Sequence, residues 1–328
     1  MYGLGPIGAS VARQLATRKG FQIVGAVDID HAKVGLDLGE VIGLGKKMRI
    51  RITNDPVGAI KAGKPDVAVL CTSSSLKKVM PQIETVLKKK VAIVSTTEEL
   101  SYPVGKNRAL AKKIDALAKK AKVAVVGTGV NPGFAMDALP ITLTGICERV
   151  DSIRIDRIQD ARSRRLPFQQ KIGSGLNTEQ FAQKVKDGSV RHVGLAESVT
   201  MIADAMGWKL DKVTDDIKPK IAEKAVESDL IAVDPGYVCG IIQDGVGYVK
   251  GKAVVTLSRS FVEPFLKMSG RRDLRDAAPH GARAHHTDPH VASRRVHERP
   301  RARVLHLVAH WPVNFGARFS RKAFTPSA

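Results

Sequence analysis

The sequence MYGLGPIG at residues 1–8 decides how the first half of this 328-residue chain is interpreted. Gly3, Gly5 and Gly8 form the spacing G-x-G-x-x-G, which usually joins a buried β-strand to a helix. The next residues, ASVARQLATRK, predict that helix, and Gly20 predicts its end. Only two residues precede the turn, and the spacing alone is a weak signal. Its meaning therefore depends on segments further along the chain.

Three β-branched runs follow at regular intervals: PDVAVLCTSSS at 65–75, KKVAIVSTTEEL at 89–100 and AKVAVVGTGVNPG at 121–133. Each run ends in small polar residues, and helical segments separate them. Continuous apolar strands alternating with helices predict a parallel sheet covered on both faces. Ligands bind such sheets at the carboxyl ends of the strands. The fold class predicted for this half is therefore α/β, with a Rossmann-type parallel sheet.

The segment FQIVGAVDID (21–30) predicts a further strand that ends at Asp28, twenty residues after Gly8. At this distance a Rossmann unit places an acidic residue on the adenosine ribose, while the glycines let the backbone approach a pyrophosphate at the helix N-terminus. We therefore predict a cofactor turn that prefers NAD to NADP, although His31 and Lys33 lie close enough to reduce that preference. The predicted cofactor-binding residues are Gly3, Leu4, Gly5, Pro6, Ile7, Gly8, Asp28, Thr72, Ser73, Thr96 and Asn131.

The strand that should precede the glycine turn is reduced to Met1 and Tyr2. We expect that the chain starts too late to include most of this central strand. Because the first strand is the most buried one in this topology, we also expect the fold to be weakened.

After residue 133 the pattern changes to an α+β domain with a mostly antiparallel sheet. VDSIRIDRIQDAR (150–162) alternates apolar and polar residues as a half-buried strand does, and two helices are predicted to end at Gly188 and Gly207. Further strands follow, with QDGVG at 243–247 predicted as a turn. We expect a dinucleotide-binding domain at 1–133, a substrate and dimerisation domain at 134–268, and a separate tail at 269–328.

The formal net charge of +21 comes from basic residues whose type changes along the chain. Residues 271–328 contain 11 Arg but 1 Lys, together with seven of the nine His, whereas lysine outnumbers arginine before them. One interpretation of this basic tail is an arm that neutralises nucleic-acid phosphates. The other, which we favour, is an atypical or frameshifted terminus, so nucleic acid is not an expected partner.

Cysteines and hydropathy exclude several classes of protein. Cys71, Cys147 and Cys239 are widely separated, which argues against a disulfide framework or a zinc site and fits a reducing cytoplasm. The pair His285-His286 has no nearby ligands to complete a metal site, so no metal is expected. No run of about 18 apolar residues and no secretory signal is present, so we expect no membrane association.

Few titratable residues fall near the predicted edge of the sheet. Glu98 and Glu99 directly follow a strand, and one of them could act as a general base or stabilise a substrate cation. The alternative is that both cap the helix after the sequence SYP. His192 is the other candidate, although a lone histidine is more often structural. The residues themselves leave these alternatives open.

Five segments in order resemble the family of 2,4-diaminopentanoate dehydrogenase and its relatives, which are NAD(P)-dependent amine dehydrogenases with a dihydrodipicolinate-reductase-like N-terminal domain. The segments are YGLGPIG (2–8), VSTTEELSYP (94–103), GTGVNPGFAMDALP (127–140), RRLPFQQKIGSGL (164–176) and RHVGLAESVTMIADAMGW (191–208). The resemblance covers roughly residues 1–260. It implies oxidative deamination of an amine, or reductive amination of a ketone with ammonia, by hydride transfer.

The same resemblance implies roles for individual residues. Glu98 is the implied catalytic carboxylate, with Glu99 as the second choice and His192 as a further catalytic residue. The implied substrate-binding residues are Phe134, Arg157, Gln159 and Phe168. A homodimer is expected, since such two-domain reductases often pair through the second sheet. Two alternatives are a dihydrodipicolinate-reductase-like enzyme, whose histidine pair and lysine motif find no match here, and a non-catalytic dinucleotide-binding protein.

Overall fold

The computed structural model of the protein describes residues 1–103, 105–162, 166–190 and 193–262, and for residues 304–310 the backbone alone; the side chains of Lys106 and Val262 also lie outside the description. The chain divides into two compact units. The first comprises residues 1–154, 192–215 and 245–257, and the second comprises residues 155–191, 216–244 and 258–328. The expected domain boundaries after residues 133 and 268 stay a prediction, and most of the basic tail lies outside the described residues.

The described residues form the following helices and strands in chain order. The helices are α1 (Pro6–Thr17), α2 (Leu38–Val41), α3 (Pro56–Gly63), α4 (Leu76–Lys88), α5 (Glu98–Ser101), α6 (Arg108–Ala121), α7 (Ala138–Thr144), α8 (Leu166–Lys171), α9 (Thr178–Lys186) and α10 (Leu195–Ala205). The strands are β1 (Ala26–Val27), β2 (Ile52–Thr53), β3 (Val67–Leu70), β4 (Ala92–Ser95), β5 (Val125–Gly127), β6 (Ser152–Asp160), β7 (Lys212–Ile221), β8 (Val226–Glu227), β9 (Ala232–Val233), β10 (Val238–Val249), β11 (Lys252–Val262) and β12 (Val304–His310).

The first unit contains the parallel sheet that the sequence predicts. β1 pairs with β2, and β3 pairs with β4, which pairs with β5, all in parallel. Tyr2 bridges in parallel to Val27 on one side and to Leu70 on the other, so the order is β2, β1, Tyr2, β3, β4, β5. Residues 1–3 therefore stand where the central strand of the sheet belongs. The predicted Rossmann-type arrangement is confirmed.

Helical periodicity explains how this sheet is covered. On α4 the apolar residues recur every three or four positions, so one face of the helix is buried over its whole length. The buried residues of that face are Leu76, Val79, Met80, Ile83, Val86 and Leu87. They form one hydrophobic cluster with β3, β4 and α6, while α1 and β1 contribute to a second cluster around Leu4, Leu38 and Ile52.

The larger sheet is mixed and mostly antiparallel, in the order β12, β6, β11, β10, β7. β6 alternates buried and partly exposed residues along its whole length, as its sequence predicts. The helices α9 and α10 also lie where they are predicted, followed by Gly188 and Gly207 with positive φ. The α+β class predicted for this half is thereby confirmed.

The predicted turn at QDGVG is wrong. Residues 243–247 lie inside β10, and the chain reverses at Lys250-Gly251, whose φ angles of 49° and 74° suit a two-residue hairpin turn. The glycines have a packing role instead. A Cβ on Gly247 would lie 2.8 Å from Val199 Cγ1, so the small residue lets α10 approach the strand closely.

Candidate functional site

The glycine turn is closed by contacts that only glycine allows. Gly3 has a φ of 88°, and a Cβ there would lie 2.7 Å from the Cys71 carbonyl oxygen. A Cβ on Gly8 would lie 1.9 Å from the Gly3 carbonyl oxygen, so the start of α1 sits directly on the turn. Gly5 differs, because a Cβ there would meet no atom within 4 Å. The first and third glycines therefore serve packing, while Gly5 leaves open space at the backbone.

Gly5 is also the N-cap of α1, and Pro6 occupies the first helical turn. Pro6 and Ile7 are exposed, with Ile7 62% exposed, whereas Leu4 is buried in the core. A helix N-terminus with open space beside it offers unsatisfied N–H groups and a partial positive charge to an anion. This arrangement fits the pyrophosphate of a dinucleotide.

Asp28 is buried at the end of β1 and supports the turn directly. Its Oδ2 accepts a hydrogen bond of 2.6 Å from Leu4 N–H, and its Oδ1 accepts one of 2.9 Å from Asp30 N–H. Lys33 Nζ lies 3.9 Å from Asp28 Oδ2 and 2.8 Å from Asp30 Oδ2. The ion pair with Asp30 raises the pKa of Lys33. A fixed positive charge therefore stands beside the carboxylate predicted to contact the ribose.

The tips of β3 and β4 are joined by buried hydroxyl groups. Ser95 Oγ donates to the Leu70 carbonyl, and Thr97 Oγ1 donates to the Ser73 carbonyl at 2.8 Å. Thr96 N–H donates to the same Leu70 carbonyl. Thr72 is exposed beside the glycine turn, where its hydroxyl donates to Gln82 Oε1. The structure thus brings Thr72, Ser73 and Thr96 to the edge of the sheet that carries the glycine turn.

Glu98 and Glu99 lie side by side in the first turn of α5 but have different surroundings. Glu99 is buried, its Oε2 accepts a hydrogen bond of 2.8 Å from Leu76 N–H, and its own N–H donates to the Ser74 carbonyl. Glu99 therefore caps α4, which is a different helix from the one that the capping alternative named. Glu98 is half-buried, and its carboxylate makes no hydrogen bond or ion pair with any residue in the described part of the chain.

Asn131 is a buried polar side chain whose amide nitrogen and oxygen both lack a hydrogen-bond partner among the described residues. Such groups are rare in folded proteins, because burying an unpaired amide costs about 1–3 kcal/mol. It precedes a cis peptide bond to Pro132 in the loop after β5. Phe134, three residues later, is 48% exposed. An unpaired amide in this loop is a feature that a bound ligand could satisfy.

Asp137 organises this loop and was not predicted from the sequence. It is fully buried, and its Oδ2 accepts hydrogen bonds from Gly133 N–H at 2.8 Å and from Ser198 Oγ of α10 at 2.7 Å. Its position directly before α7, where an acidic N-cap is common, is the one signal that could have identified it.

The remaining predicted substrate residues belong to the second unit. Arg157 and Gln159 are buried on β6, on the same face of the strand. Phe168 on α8 contacts Phe261 edge to face at 4.9 Å in the hydrophobic cluster of that unit. His192 lies outside the described residues, and its catalytic role stays a prediction.

Among the described residues, the Cys71 thiol beside the glycine turn is not activated as a nucleophile, and no metal site is formed. Burial raises the pKa of the Cys71 thiol, which keeps the sulfur protonated and unreactive at neutral pH. Within the described ranges, no group of three or more His, Cys, Asp or Glu side chains comes together as metal ligands would. Nor does any helix in those ranges combine the length and hydropathy that a bilayer crossing needs.

Comparison with known proteins gives consistent matches along most of the chain. Residues 1–128 match the family described as the N-terminus of dihydrodipicolinate reductase, and residues 134–267 match the 2,4-diaminopentanoate dehydrogenase C-terminal domain. The chain is 35% identical over 261 residues to 2,4-diaminopentanoate dehydrogenase of Acetoanaerobium sticklandii, covering 78% of this chain and 73% of that protein.

Two amine dehydrogenases are also similar. The amine dehydrogenase of Streptomyces virginiae is 22% identical over 222 residues, covering 66% of this chain and 61% of the relative. The structure of the amine dehydrogenase from Mycobacterium smegmatis superimposes with a TM-score of 0.68 at 26% identity, covering 80% of this chain and 77% of that one.

Proposed function

Because the chain belongs to the 2,4-diaminopentanoate dehydrogenase family, we propose that it oxidises a primary amine to a ketone and ammonia with Glu98 as the catalytic base. Membership makes it an NAD(P)-dependent oxidoreductase acting on an amine. The first substrate to test is 2,4-diaminopentanoate, after the relative that is 35% identical over 261 residues. The role of Glu98 and the choice of amine are the parts proposed here.

The observation that carries the assignment is the contrast between the two neighbouring glutamates. Glu99 is bound to the backbone of α4 through Leu76 N–H. Glu98 leaves its carboxylate without a partner in the described residues, at the tip of β4 on the edge that holds the glycine turn. A general base must be free to take up a proton, so the geometry favours Glu98 over Glu99.

The proposed chemistry requires one proton and one hydride to leave the substrate. The Glu98 carboxylate accepts a proton from the substrate ammonium, which frees the nitrogen lone pair to assist loss of the hydride from the neighbouring carbon. A bound nicotinamide supplies the acceptor for that hydride. Glu98 must first release its proton to solvent. The iminium carbon then takes up water, and Glu98 receives the proton of that water and passes it to the nitrogen. Ammonia leaves as the carbonyl forms, and the hydroxyl proton returns to Glu98. In its ionised form the carboxylate also stabilises the positive charge on nitrogen.

The residues proposed to hold the dinucleotide lie along the strand ends described above. Gly3 and Gly8 keep the turn tight, Leu4 is positioned by Asp28, and the open backbone at Gly5 with Pro6 and Ile7 faces the phosphates. Asp28 is proposed to contact the ribose, Thr72, Ser73 and Thr96 to line the edge, and Asn131 to use its unpaired amide on the nicotinamide. We propose NAD as the preferred cofactor, with NADP accepted because Lys33 offsets the charge of Asp28.

A matched pair of substitutions tests the mechanism. Purified protein is assayed for reduction of NAD and NADP with 2,4-diaminopentanoate, and in reverse with ammonia and the corresponding ketone. Glu98→Gln should lower kcat by about 10²–10⁴-fold while leaving the melting temperature unchanged, since general bases contribute about this factor. Glu99→Gln is the control and should retain activity, because the amide oxygen still accepts from Leu76 N–H. Equal activity of the Glu98→Gln and wild-type proteins would refute the assignment.

The wider organisation is proposed as follows. A dinucleotide-binding domain at 1–133 precedes a substrate and dimerisation domain at 134–268, in line with the two family matches. Phe134, Arg157, Gln159, Phe168 and His192 are proposed to contact substrate or assist its reaction. We further propose a homodimer working in the cytoplasm, where three free cysteines are stable. Light scattering of the purified protein tests the dimer.

A further inference from the structure

The helix α10 is bonded to the loop that carries Asn131, and both belong to the first unit. Ser198 on α10 is fully buried, and its Oγ donates a hydrogen bond of 2.7 Å to Asp137 Oδ2. The same oxygen of Asp137 accepts a hydrogen bond of 2.8 Å from Gly133 N–H. A chain of two hydrogen bonds therefore runs from α10 to the backbone two residues after Asn131.

A second contact joins the same loop to the start of α10. Gly194, the residue before the helix, has a φ of 109°, and a Cβ on it would overlap the ring of Pro132. A glycine is therefore needed for the helix to approach Pro132 so closely. The Pro132 carbonyl in turn accepts a long hydrogen bond of 3.5 Å from Ser101 Oγ of α5, the helix that carries Glu98. The loop thus lies between α10 and the helix of the proposed catalytic base.

The helix α10 is itself packed directly on the backbone of β10. A Cβ on Gly245 would lie 2.9 Å from Leu195 Cγ, and a Cβ on Gly247 would lie 2.8 Å from Val199 Cγ1. The two glycines therefore let the helix and the strand meet without intervening side chains. Because such close packing resists displacement, α10 is a rigid support for the groups bonded to it.

The loop also folds tightly on itself, while the Asn131 side chain is left without a bond. A Cβ on Gly133 would lie 2.6 Å from the nitrogen of Gly129, and Ala135 N–H donates to the Val130 carbonyl at 2.8 Å. The buried amide of Asn131 has no hydrogen-bond partner among the described residues. An amide presents a donor and an acceptor side by side, and the carboxamide of nicotinamide presents the complementary pair. The backbone of the loop is thus fixed, and one polar group in it remains for a ligand.

We propose that Ser198 is a positioning residue for the nicotinamide ring. Acting through Asp137, it holds the Asn131 amide where the carboxamide of the dinucleotide would bind. This inference rests on the dinucleotide binding proposed above and adds a residue on another helix that acts through the loop alone. Without the Ser198 hydroxyl, Asp137 keeps its two backbone donors but is no longer tied to α10. The Asn131 amide should then lose its alignment with the ligand, whereas the glycine turn proposed for the pyrophosphate is unchanged.

The test compares two ligands by isothermal titration calorimetry with the full-length protein: NADH, which carries the nicotinamide, and ADP-ribose, which lacks it. Ser198→Ala should raise the Kd of NADH about three- to tenfold and leave the Kd of ADP-ribose within about twofold. Asn131→Ala should show the same split, with a rise of about tenfold for NADH. The double variant should bind NADH no more weakly than Asn131→Ala alone, because Ser198 acts only through that amide.

Thr200→Ala is the matched control. It also removes a hydroxyl from α10, but that hydroxyl bonds within the helix, to the Ala196 carbonyl, so neither Kd should change. A general loss of stability would weaken the binding of both ligands together, so the split between them separates positioning from a merely structural role. If Ser198→Ala is too unstable to titrate, Ser198→Cys, whose thiol is a weak donor of similar size, takes its place and should show the same split.

Several results would overturn the proposal. They are an equal rise in both Kd values in the Ser198 variant, an unchanged Kd of NADH in the Ser198 or the Asn131 variant, and a further rise in the double variant. A wild-type protein that binds NADH no more tightly than ADP-ribose would also overturn it, since the nicotinamide then has no partner. Because the readout is binding, a wild-type protein that binds NADH but oxidises no amine refutes the proposed function alone.

Discussion

Two glycines of the same turn should respond in opposite ways to the addition of a methyl group. In Gly8→Ala the new Cβ would lie 1.9 Å from the Gly3 carbonyl oxygen and 3.3 Å from Cys71 Cβ. A backbone oxygen cannot rotate away as a side chain can, so α1 must shift from the sheet. In Gly5→Ala the Cβ would meet no atom within 4 Å, and the φ of −62° is one that alanine adopts without strain.

The expected magnitudes follow from these contacts. Overpacking of this kind costs about 1–3 kcal/mol. At roughly 2–4 °C per kcal/mol for a domain of this size, Gly8→Ala should lower the melting temperature by about 2–12 °C. Gly5→Ala should leave it within about 2 °C. Its methyl group instead occupies the space through which a pyrophosphate reaches the backbone, and losing one charge-assisted hydrogen bond of about 1.5–3 kcal/mol raises Kd at least tenfold.

Thermal unfolding followed by circular dichroism measures the first effect, and titration of NADH fluorescence measures the second. Gly8 is thus expected to serve packing, and Gly5 to serve ligand access. Binding of NADH by Gly5→Ala as tightly as by the wild type, or unfolding of Gly8→Ala at the wild-type temperature, would refute these roles.

Three further predictions concern charged groups. Glu99→Ala should lower the free energy of unfolding by about 1–3 kcal/mol, because Leu76 N–H at the buried start of α4 loses its acceptor; chemical denaturation measures this. The amine of Met1 has its pKa lowered from 8.0 to about 6 by burial, so the unfolded chain binds more protons between these values. The free energy of unfolding should therefore be highest above pH 8 and should fall by about 2–3 kcal/mol as the pH is lowered to 6. Chemical denaturation at a series of pH values measures this, and a variant with an N-terminal extension, which lacks this buried amine, is the control. Lys33→Ala should raise the Kd of NADPH about five- to tenfold relative to NADH, since the positive charge beside Asp28 is lost, and parallel fluorescence titrations compare the two.

The sequence predicts those parts of the fold that depend on residues close together in the chain. The alternation along β6 lies where it is predicted, and the apolar face of α4 and the capping box of α9 between Asn177 and Gln180 also follow from residue spacing. The glycine turn is local only in part: a Cβ on Gly8 would meet the Gly3 carbonyl, whereas a Cβ on Gly3 would meet Cys71 and Thr72, which lie far along the chain.

Features that depend on distant partners were not predictable in the same way. Asp-Gly at residues 244–245 usually signals a turn, yet Gly245 and Gly247 lie within β10 because α10 packs against them. The spacing of residues also could not show which of Glu98 and Glu99 has a free carboxylate. That depends on the hydrogen bond between Glu99 and the start of α4, which lies beside the end of β4. In both cases the deciding neighbour is more than twenty residues away in the chain.

Three acidic residues in the loops after the parallel strands have the same structural role. Asp28, Glu99 and Asp137 are buried, and each accepts a hydrogen bond from a backbone N–H: Asp28 from Leu4 and Glu99 from Leu76, both distant in the chain, and Asp137 from Gly133 in its own loop. A buried carboxylate used in this way is fixed in position by its donors, and its removal leaves unpaired N–H groups behind. Such residues stabilise the loops but are poorly placed to exchange protons. Glu98 stands at the same edge without a bond of this kind in the described chain, and for that reason it is the carboxylate to which proton transfer is assigned.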